Sequence, residues 1–166
     1  MKRLRDNTPD IALSETPAGL GALPRGYFVD GPIGVYQKVA AAGTSDRVIL
    51  YVGMRRGGRV LYAIDVTTPT APKMLWKKTS GSAGMAQLGQ TWSEPKAARL
   101  RGYPNPVVIM GGGYDATAED ALTPAAPTMG NVVMVLDAFD GTLLKTFSAL
   151  SGATPAANIA DRKSVV

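Results

Sequence analysis

The segment Val60-Leu61-Tyr62-Ala63-Ile64-Asp65-Val66 (VLYAIDV) points most directly to the architecture, because a similar segment, VVMVLDA, occupies residues 132–138. Both are short runs rich in β-branched residues that reach an aspartate, as strands leading into a turn do. A second pair of runs precedes them, since Val48–Gly53 (VILYVG) matches Val107–Gly112 (VVIMGG). The sequence therefore predicts two copies of one strand–glycine turn–strand unit.

Further short apolar runs, separated by Gly and Pro, extend the series of strands. Strands are also predicted at Tyr27–Val29, Met74–Trp76 and Leu143–Phe147. Asp65 and Asp137 recur at equivalent places in the two copies. A carboxylate at a strand end accepts hydrogen bonds from the turn that follows, so both aspartates are interpreted as structural.

Three or four short antiparallel strands cannot bury both of their faces alone, and stacking such meanders radially solves this problem. The predicted fold is all-β, a partial β-propeller of about two blades plus flanking strands, with quinoprotein-like meander sheets. A small β-sandwich is the alternative. The predicted domains are a loosely structured lead-in at 1–26, the propeller domain at 27–147 with a surface insertion at 114–130, and a tail or truncated next blade at 148–166.

The composition excludes several kinds of chemistry. The 166 residues include no histidine and no cysteine, which rules out imidazole catalysis, thiolate nucleophiles and sites with His or Cys ligands. The basic start has no apolar segment after it, so no signal peptide is expected. No stretch approaches the roughly 20 apolar residues that a membrane span needs.

The positive charge is concentrated in the middle of the chain. The net charge is +5, and residues 46–101 hold ten basic and three acidic side chains. A scaffold propeller that binds nucleic acid or another polyanion through residues 46–101 is therefore one alternative function. Scattered solvated Lys and Arg explain the same excess, and nucleic acid is not the expected partner.

Few residues qualify as site candidates, and none is assigned a catalytic, cofactor-binding or metal-binding role. Arg55, Arg56 and Arg59 flank a Gly-Gly turn and form a possible anion-contacting tip. The acidic residues of one local cluster are interpreted as solvated loop carboxylates, because their spacing does not match a calcium loop. That cluster comprises Asp115, Glu119 and Asp120. Trp76 and Trp92 are interpreted as packing residues.

Taken in order, several segments resemble one family. They are Tyr27–Pro32, Gly57–Thr67, Pro72–Trp76, Leu88–Pro95, Val107–Asp115, Gly130–Ala138 and Gly141–Leu144. Their order and spacing resemble the C-terminal β-propeller of the PilC/PilY-type pilus-tip adhesins, over about residues 27–147. In that resemblance, Leu88–Pro95 corresponds to the strand that opens a blade.

The resemblance implies a function. The family consists of large cell-surface proteins of bacteria that build type IV pili, and its members assist pilus assembly, counter retraction and mediate attachment without being enzymes. It implies an adhesive or structural module that acts by surface contacts, located at the cell surface, on the pilus or at the outer membrane. The implied partners are minor pilins, host or abiotic surfaces and the remaining propeller blades.

The resemblance also bears on metal binding and completeness. Calcium in the family binds Asp-rich loops, and this sequence has no Asp-x-Asp-x-Asp-Gly stretch. Any calcium of the full-length protein is thus expected in a loop beyond this chain, with no cofactor here. Because the family's large N-terminal region and secretion signal are absent, the chain is interpreted as a fragment.

A quinone-dependent dehydrogenase-like propeller is the second alternative, because such enzymes carry Asp-x-x-x-Gly-x-x-x-Trp units. The unit that starts at Asp137 has its glycine at Gly141, but Lys145 stands near the place of the tryptophan. The unit at Asp65 has Trp76 but no turn glycine.

Overall fold

The structure, a computed structural model, describes residues 28–41, 43–123 and 125–148. In these ranges the chain forms two antiparallel four-stranded sheets, each a meander in which strands pair in chain order. The first sheet consists of β1 (Ile33–Val39), β2 (Ser45–Gly53), β3 (Val60–Asp65) and β4 (Lys73–Thr79). The second consists of β5 (Lys96–Arg99), β6 (Pro106–Gly111), β7 (Val132–Asp137) and β8 (Leu143–Ser148). The predicted all-β class and its two meander units are confirmed.

The apolar runs located most strands correctly. Those at Val48–Val52, Val60–Val66, Met74–Trp76, Val107–Met110, Val132–Leu136 and Leu143–Phe147 coincide with β2, β3, β4, β6, β7 and β8. The strand predicted at Tyr27–Val29 is wrong for its described residues, since Phe28 and Val29 are exposed and outside any strand. Pro32, which has no N–H for a ladder, separates them from β1. The lead-in 1–26 and residues 149–166 lie outside the described residues.

The first strand of each sheet was not predicted from an apolar run. β1 (IGVYQKV) mixes polar and apolar residues, and β5 (KAAR) has no large apolar side chain. The strands of the two sheets approach each other most closely at β1 and β5. The approach is so close that a Cβ at Gly34 would overlap the carbonyl oxygen of Pro95, the residue before β5. The segment Leu88–Pro95 contributes an isolated bridge from Gln90 to Tyr114, and the strand itself starts only at Lys96. Strands β4 and β8 form the outer edges.

The repeat recurs in the hydrogen-bond ladders, one residue away from the alignment predicted for its first strand. Asp65 pairs with Ile49, and Asp137 pairs with Val107. Ile49, and not Val48, therefore corresponds to Val107. The predicted alignment is wrong by one residue because β6 ends within a run of three glycines, Gly111–Gly113, and the sequence does not show which of them ends the ladder.

Both sheets carry the same irregularity. The register shifts directly after Ala63 in β3 and directly after Val135 in β7. Trp76 pairs with Ala63, and Lys145 pairs with Val135. Trp76 and Lys145 are therefore structural equivalents, and the two sheets are two copies of one blade, the name used below for each four-stranded meander.

The two blades pack face to face around one buried apolar cluster. The first blade contributes Ile49, Tyr51, Leu61, Ala63 and Trp76; the second contributes Val108, Met110, Val132, Met134, Leu136 and Ala138; the connecting segment adds Met85 and Leu88. Full burial of a large apolar side chain contributes about 1.5–3 kcal/mol. This cluster therefore supplies much of the stabilisation that holds the blades together.

Two polar hydrogen bonds fix the position of one blade on the other. The Tyr51 hydroxyl and the Trp76 indole N–H both donate to the carbonyl oxygen of Ala138, at 3.0 and 3.2 Å. Burial raises the pKa of Tyr51 well above its ordinary value, so the hydroxyl stays protonated and donates. The indole also lies against Gly141, where a Cβ would come within 2.7 Å of the ring.

The carboxylate of Asp137 organises the β7–β8 turn. It accepts hydrogen bonds from the backbone N–H groups of Phe139 and Asp140, at 2.7 and 3.2 Å. The Tyr103 hydroxyl and the Asn105 amide also donate to it, each at 2.8 Å. Burial by itself would raise the pKa of this carboxyl, but the hydrogen bonds outweigh burial and hold the pKa below its usual value.

Asp65 ends β3 in a similar way. It accepts hydrogen bonds from the backbone N–H and the hydroxyl of Thr67, at 2.9 and 2.6 Å. Arg47 lies 3.8 Å from its second oxygen and occupies the place that Asn105 has in the second blade. The predicted hydrogen bonds that each strand-end aspartate accepts from the following turn are thus present in both blades.

We expect Asp137→Ala to lower the free energy of unfolding by about 2–4 kcal/mol, because four donors lose a buried acceptor. Urea denaturation followed by tryptophan fluorescence measures the change. Asp140→Ala is the matched control, since the exposed Asp140 carboxylate accepts one hydrogen bond, from the Thr142 N–H. The control should cost less than about 1 kcal/mol, and equal losses would contradict the organising role of Asp137.

The lowered pKa of Asp137 also predicts sensitivity to acid. An unperturbed Asp carboxyl titrates near pH 3.9, and the folded value lies below that of the unfolded chain. The stabilising contribution is therefore complete above about pH 4 and is lost as the pH falls through the folded pKa. We expect the unfolding free energy to fall below pH 4, and to fall less steeply in Asp137→Asn, when urea titrations are repeated from pH 6 to pH 2.

Candidate functional site

The three arginines predicted to contact anions lie on the hairpin between β2 and β3. Arg55–Gly57 forms a single 3-10 turn at the tip of this hairpin. Arg55 has a left-handed backbone, with φ of 49°. This conformation is uncommon for a residue other than glycine, so the tip holds some backbone strain.

Thr91, in the segment that connects the blades, anchors the tip. It is fully buried, its hydroxyl oxygen accepts a hydrogen bond from the Met54 N–H at 2.6 Å, and the hydroxyl lies 3.2 Å from the Val60 carbonyl. Its carbonyl oxygen accepts from the Arg55 N–H at 3.3 Å. The hairpin tip is therefore attached to the body of the fold at both ends.

Two of the arginines share one aromatic platform. The guanidinium groups of Arg55 and Arg56 lie 5.0 and 6.0 Å from the centre of the Trp92 ring, within the range of cation–π attraction. Trp92 packs edge-on against Tyr114, with ring centres 6.4 Å apart. Trp92 is interpreted from the sequence as a packing residue. In the structure it packs against Tyr114 and also contacts the guanidinium groups of Arg55 and Arg56.

Arg59 makes a different set of contacts. It lies 3.7 Å from Asp115 Oδ1 and donates a hydrogen bond to the Thr117 hydroxyl at 2.8 Å. The structure therefore brings Arg55 and Arg56 together on Trp92 and places Arg59 against the β6–β7 loop.

Asp115 corrects one expectation from the sequence. It was interpreted as a solvated loop carboxylate, yet it is 1% exposed. It accepts a hydrogen bond from the Ala118 N–H, capping the four-residue helix α1 (Ala116–Glu119), and two more from the N–H and hydroxyl of Thr128, both at 2.9 Å. Burial acts to raise its pKa, but these hydrogen bonds and the Arg59 charge lower the pKa below its usual value. The sequence could not show this, because Thr128 lies thirteen residues further along the chain.

The other two acidic residues of this loop are less buried. Asp120 is exposed and accepts a hydrogen bond from the Tyr114 hydroxyl at 2.6 Å. Glu119 accepts one from the Asp115 N–H at 3.3 Å. Within residues 28–41, 43–123 and 125–148, no group of three Asp or Glu side chains is placed to hold a metal ion.

The face of the second blade that turns away from the first is a second surface of interest. It holds a cavity of about 570 Å³ lined mainly by apolar side chains. The lining includes Leu100, Tyr103, Ile109, Val133, Val135, Leu144 and Phe147, with Arg101 and Lys145 among them. Phe147 is 52% exposed.

This open face repeats a face that is covered in the first blade. In the ladders, Ile109, Val133 and Val135 correspond to Tyr51, Leu61 and Ala63. Those three residues of the first blade are fully buried against the second. The continuous apolar runs of β6 and β7 were the sequence signal for this surface, because such runs indicate strands covered on both faces.

No α-helix of the described chain is long and apolar enough to cross a membrane. No family model matches the chain.

Curated proteins of similar sequence are named as pilus proteins. The chain is 36% identical over 100 residues to a type IV pilus biogenesis factor PilY1 homolog of Xylella fastidiosa, a match over 57% of this chain and 8% of the relative. It is 34% identical over 95 residues to type IV pilus biogenesis factor PilY1 of Pseudomonas aeruginosa strain UCBPP-PA14, over 57% of this chain and 7% of the relative. The chain thus spans less than a tenth of the length of these relatives.

A solved structure agrees with the sequence matches. The crystal structure of the Pseudomonas aeruginosa PilY1 C-terminal domain is similar to this chain with a TM-score of 0.56 and 26% sequence identity. The match covers 76% of this chain and 22% of that domain. In sequence and in fold, this chain is similar to part of the C-terminal domain of PilY1, which confirms its resemblance to the PilC/PilY-type pilus proteins.

Proposed function

We propose that this chain supplies two neighbouring blades of the C-terminal propeller of a type IV pilus biogenesis factor. It acts there as a structural and adhesive module, through surface contacts and not through catalysis. The names of the PilY1 relatives support the link to pilus biogenesis.

The open face of the second blade is the observation that carries this proposal. An apolar face with exposed aromatic and aliphatic side chains marks a site of association. The equivalent face of the first blade is covered by the second blade, with Tyr51 and Trp76 bonded to its β7–β8 turn. A further blade is therefore the natural occupant of the open face.

The partners in this proposal follow from the same role. They are the remaining blades, the minor pilins and other pilus components, and the host or abiotic surfaces to which the pilus attaches. The site of action is the cell surface, on the pilus or at the outer membrane.

The state of the buried carboxylates supports a non-catalytic role. General acid–base catalysis needs a group that can gain or release a proton near neutral pH. Asp115 and Asp137 have pKa values below the usual range and use their oxygens in structural hydrogen bonds. Neither is suited to that task.

Two alternatives are open to direct assay. A quinone-dependent dehydrogenase would reduce an artificial electron acceptor when quinone and an alcohol are added, and Lys145 in place of a tryptophan speaks against this function. A polyanion-binding scaffold using residues 46–101 would elute from heparin at a salt concentration well above that of a chain with matched net charge.

We expect deletion of the parent gene to reduce surface piliation and attachment. Complementation with the full-length gene carrying Val133→Asp should fail to restore either, because the new charge lies on the open face where another blade would pack. Piliation is counted by electron microscopy of sheared pili, and attachment by adherent cells on glass.

The matched control is Thr70→Asp, which places the same side chain in the exposed β3–β4 turn and should restore both properties. Circular dichroism of the purified 166-residue chain verifies that Val133→Asp still folds. Normal piliation and attachment in the deletion strain would overturn the pilus role, and full rescue by Val133→Asp would overturn the assignment of the open face.

We expect this chain to bind no calcium with a dissociation constant below about 1 mM, the weakest range of known calcium modules. Asp115, the most buried carboxylate of the acidic loop, already accepts hydrogen bonds from Thr128 and Ala118 and lies beside the Arg59 charge. Calorimetric titration with calcium chloride measures binding, with magnesium as the control ion. A micromolar isotherm that disappears in Asp120→Ala would contradict the expectation.

A further inference from the structure

The first blade has an open apolar face of its own, on the side that turns away from the second blade. Ile33 and Val35 of β1 are 51% and 53% exposed, and Met74 of β4 is 62% exposed. Their ladder partners in β2 and β3 are also apolar, namely Val52, Leu50 and Ile64. Directly paired residues of an antiparallel ladder share one face of the sheet, so these side chains form a single apolar surface. A surface of this kind marks a site of association.

This open face is the structural copy of the face that the second blade buries against the first. Four residues of β2 and β3 occupy the ladder positions of buried residues in β6 and β7. They are Leu50, Val52, Tyr62 and Ile64, in the places of Val108, Met110, Met134 and Leu136. The exposed Met74 likewise takes the place of Leu143, which packs against the buried cluster. The first blade therefore presents outward the half of the interface that the second blade uses inward.

The two open faces of the chain are thus complementary. The open face of the second blade repeats the half of the interface that the first blade contributes, and the open face of the first blade repeats the other half. Both faces turn away from the contact between the blades, so they cannot meet within one molecule. Faces that match in this way join separate copies head to tail, in a heterologous arrangement.

The carbonyl group that anchors the inner interface has a counterpart on the first blade. Val66 and Ala138 each directly follow a strand-end aspartate. The N–H of each donates to a carbonyl of the neighbouring strand, since Val48 accepts from Val66 at 2.9 Å and Pro106 accepts from Ala138 at 3.0 Å. The Val66 carbonyl is therefore the equivalent of the Ala138 carbonyl, which accepts both polar hydrogen bonds of the inner interface.

We propose that the isolated chain associates with itself head to tail, so that the open face of the second blade in one copy packs against the open face of the first blade in the next. The occupant is a second copy because the chain carries both halves of an interface that it already forms internally. This association rests on the blade stacking in the proposed function but is independent of the pilus role, so either can fail without the other.

Lys145 provides a hydrogen-bond donor between copies. It holds the ladder position of Trp76, whose indole N–H donates to Ala138 within one chain. The lysine ammonium has three N–H donors and reaches the Val66 carbonyl of the next copy. Asp65 precedes Val66 in the chain, and its carboxylate adds negative charge where the ammonium binds. The contact between copies is therefore matched in charge as well as apolar.

Sedimentation equilibrium of the full 166-residue chain, from about 10 µM to about 1 mM, tests the association. We expect the weight-average mass to rise with concentration above the 17.3 kDa of one chain. Val35→Asp blocks the open face of the first blade and Phe147→Asp that of the second, at side chains 53% and 52% exposed. Each variant alone should keep the mass of one chain, because a charge buried in an apolar contact is costly. Circular dichroism verifies that both variants fold.

An equimolar mixture of Val35→Asp and Phe147→Asp is the decisive sample. Each variant keeps the face that the other has lost, so the mixture should form a complex of two chains and nothing larger. The matched control is Leu122→Asp, which places the same charge on a fully exposed apolar residue of the β6–β7 loop, outside both faces. It should associate as the wild type does.

A wild-type mass that stays at that of one chain up to about 1 mM would overturn the proposal. Association of either blocked variant alone would also overturn it, because two like faces or two strand edges would then be pairing. So would a mixture that forms no complex.

A further variant tests the polar contact. Lys145→Glu should weaken the association at least about tenfold, as loss of a charged donor opposite a carbonyl and a carboxylate does. The same change lowers the net charge of +5 and with it the general repulsion between copies. Unchanged or tighter association of Lys145→Glu would therefore overturn the role of Lys145 between copies.

Discussion

The position of one blade on the other depends on the hydrogen bonds that the carbonyl oxygen of Ala138 accepts. This oxygen accepts hydrogen bonds from Tyr51 and Trp76 in the first blade, inside an otherwise apolar interface. A carbonyl in such surroundings must be presented at one position and angle, because an unmade buried hydrogen bond is costly. Asp137 fixes that position by holding the backbone N–H groups of the turn that follows it. A polar network within one blade therefore sets the packing between two.

The strands that could be predicted from the sequence are those whose own residues form a continuous apolar run. One face of β6 and β7 packs against the first blade, and the other face also carries apolar side chains. Both strands therefore form continuous apolar runs in the sequence. The role of the strand-end aspartates could also be predicted, since an Asp before a turn accepts hydrogen bonds from backbone N–H groups only a few residues away. β1 and β5 were not predicted, because neither contains a continuous apolar run and each is a strand through its backbone pairing with β2 or β6. The register of the repeat was missed by one residue for a related reason, since only cross-strand pairing selects among consecutive glycines.

At the arginine tip, too, features formed by neighbouring residues could be predicted from the sequence, and contacts with distant segments could not. Arg55 and Arg56 beside a Gly-Gly turn are visible in the sequence as a possible anion contact. Their platform is not visible in the sequence, because Trp92 belongs to a different segment, which Thr91 joins to the tip by hydrogen bonds. Arg59 could not be separated from its neighbours by sequence, since its carboxylate partner lies in the β6–β7 loop. Asp115 was misjudged because its burial comes from a loop that closes on itself over thirteen residues.

The outer edges of the two blades have a consequence for solubility. β4 and β8 each leave one side of their backbone without a strand partner in the described chain, and such edges pair readily with strands of other molecules. Both carry exposed lysines, Lys73 and Lys77 on β4 and Lys145 on β8. When two copies approach edge to edge, these side chains bring like charges together and oppose association. Neutralising them, as acetylation would, removes this repulsion, so the charge of these lysines is one device by which the edges oppose pairing with a second molecule.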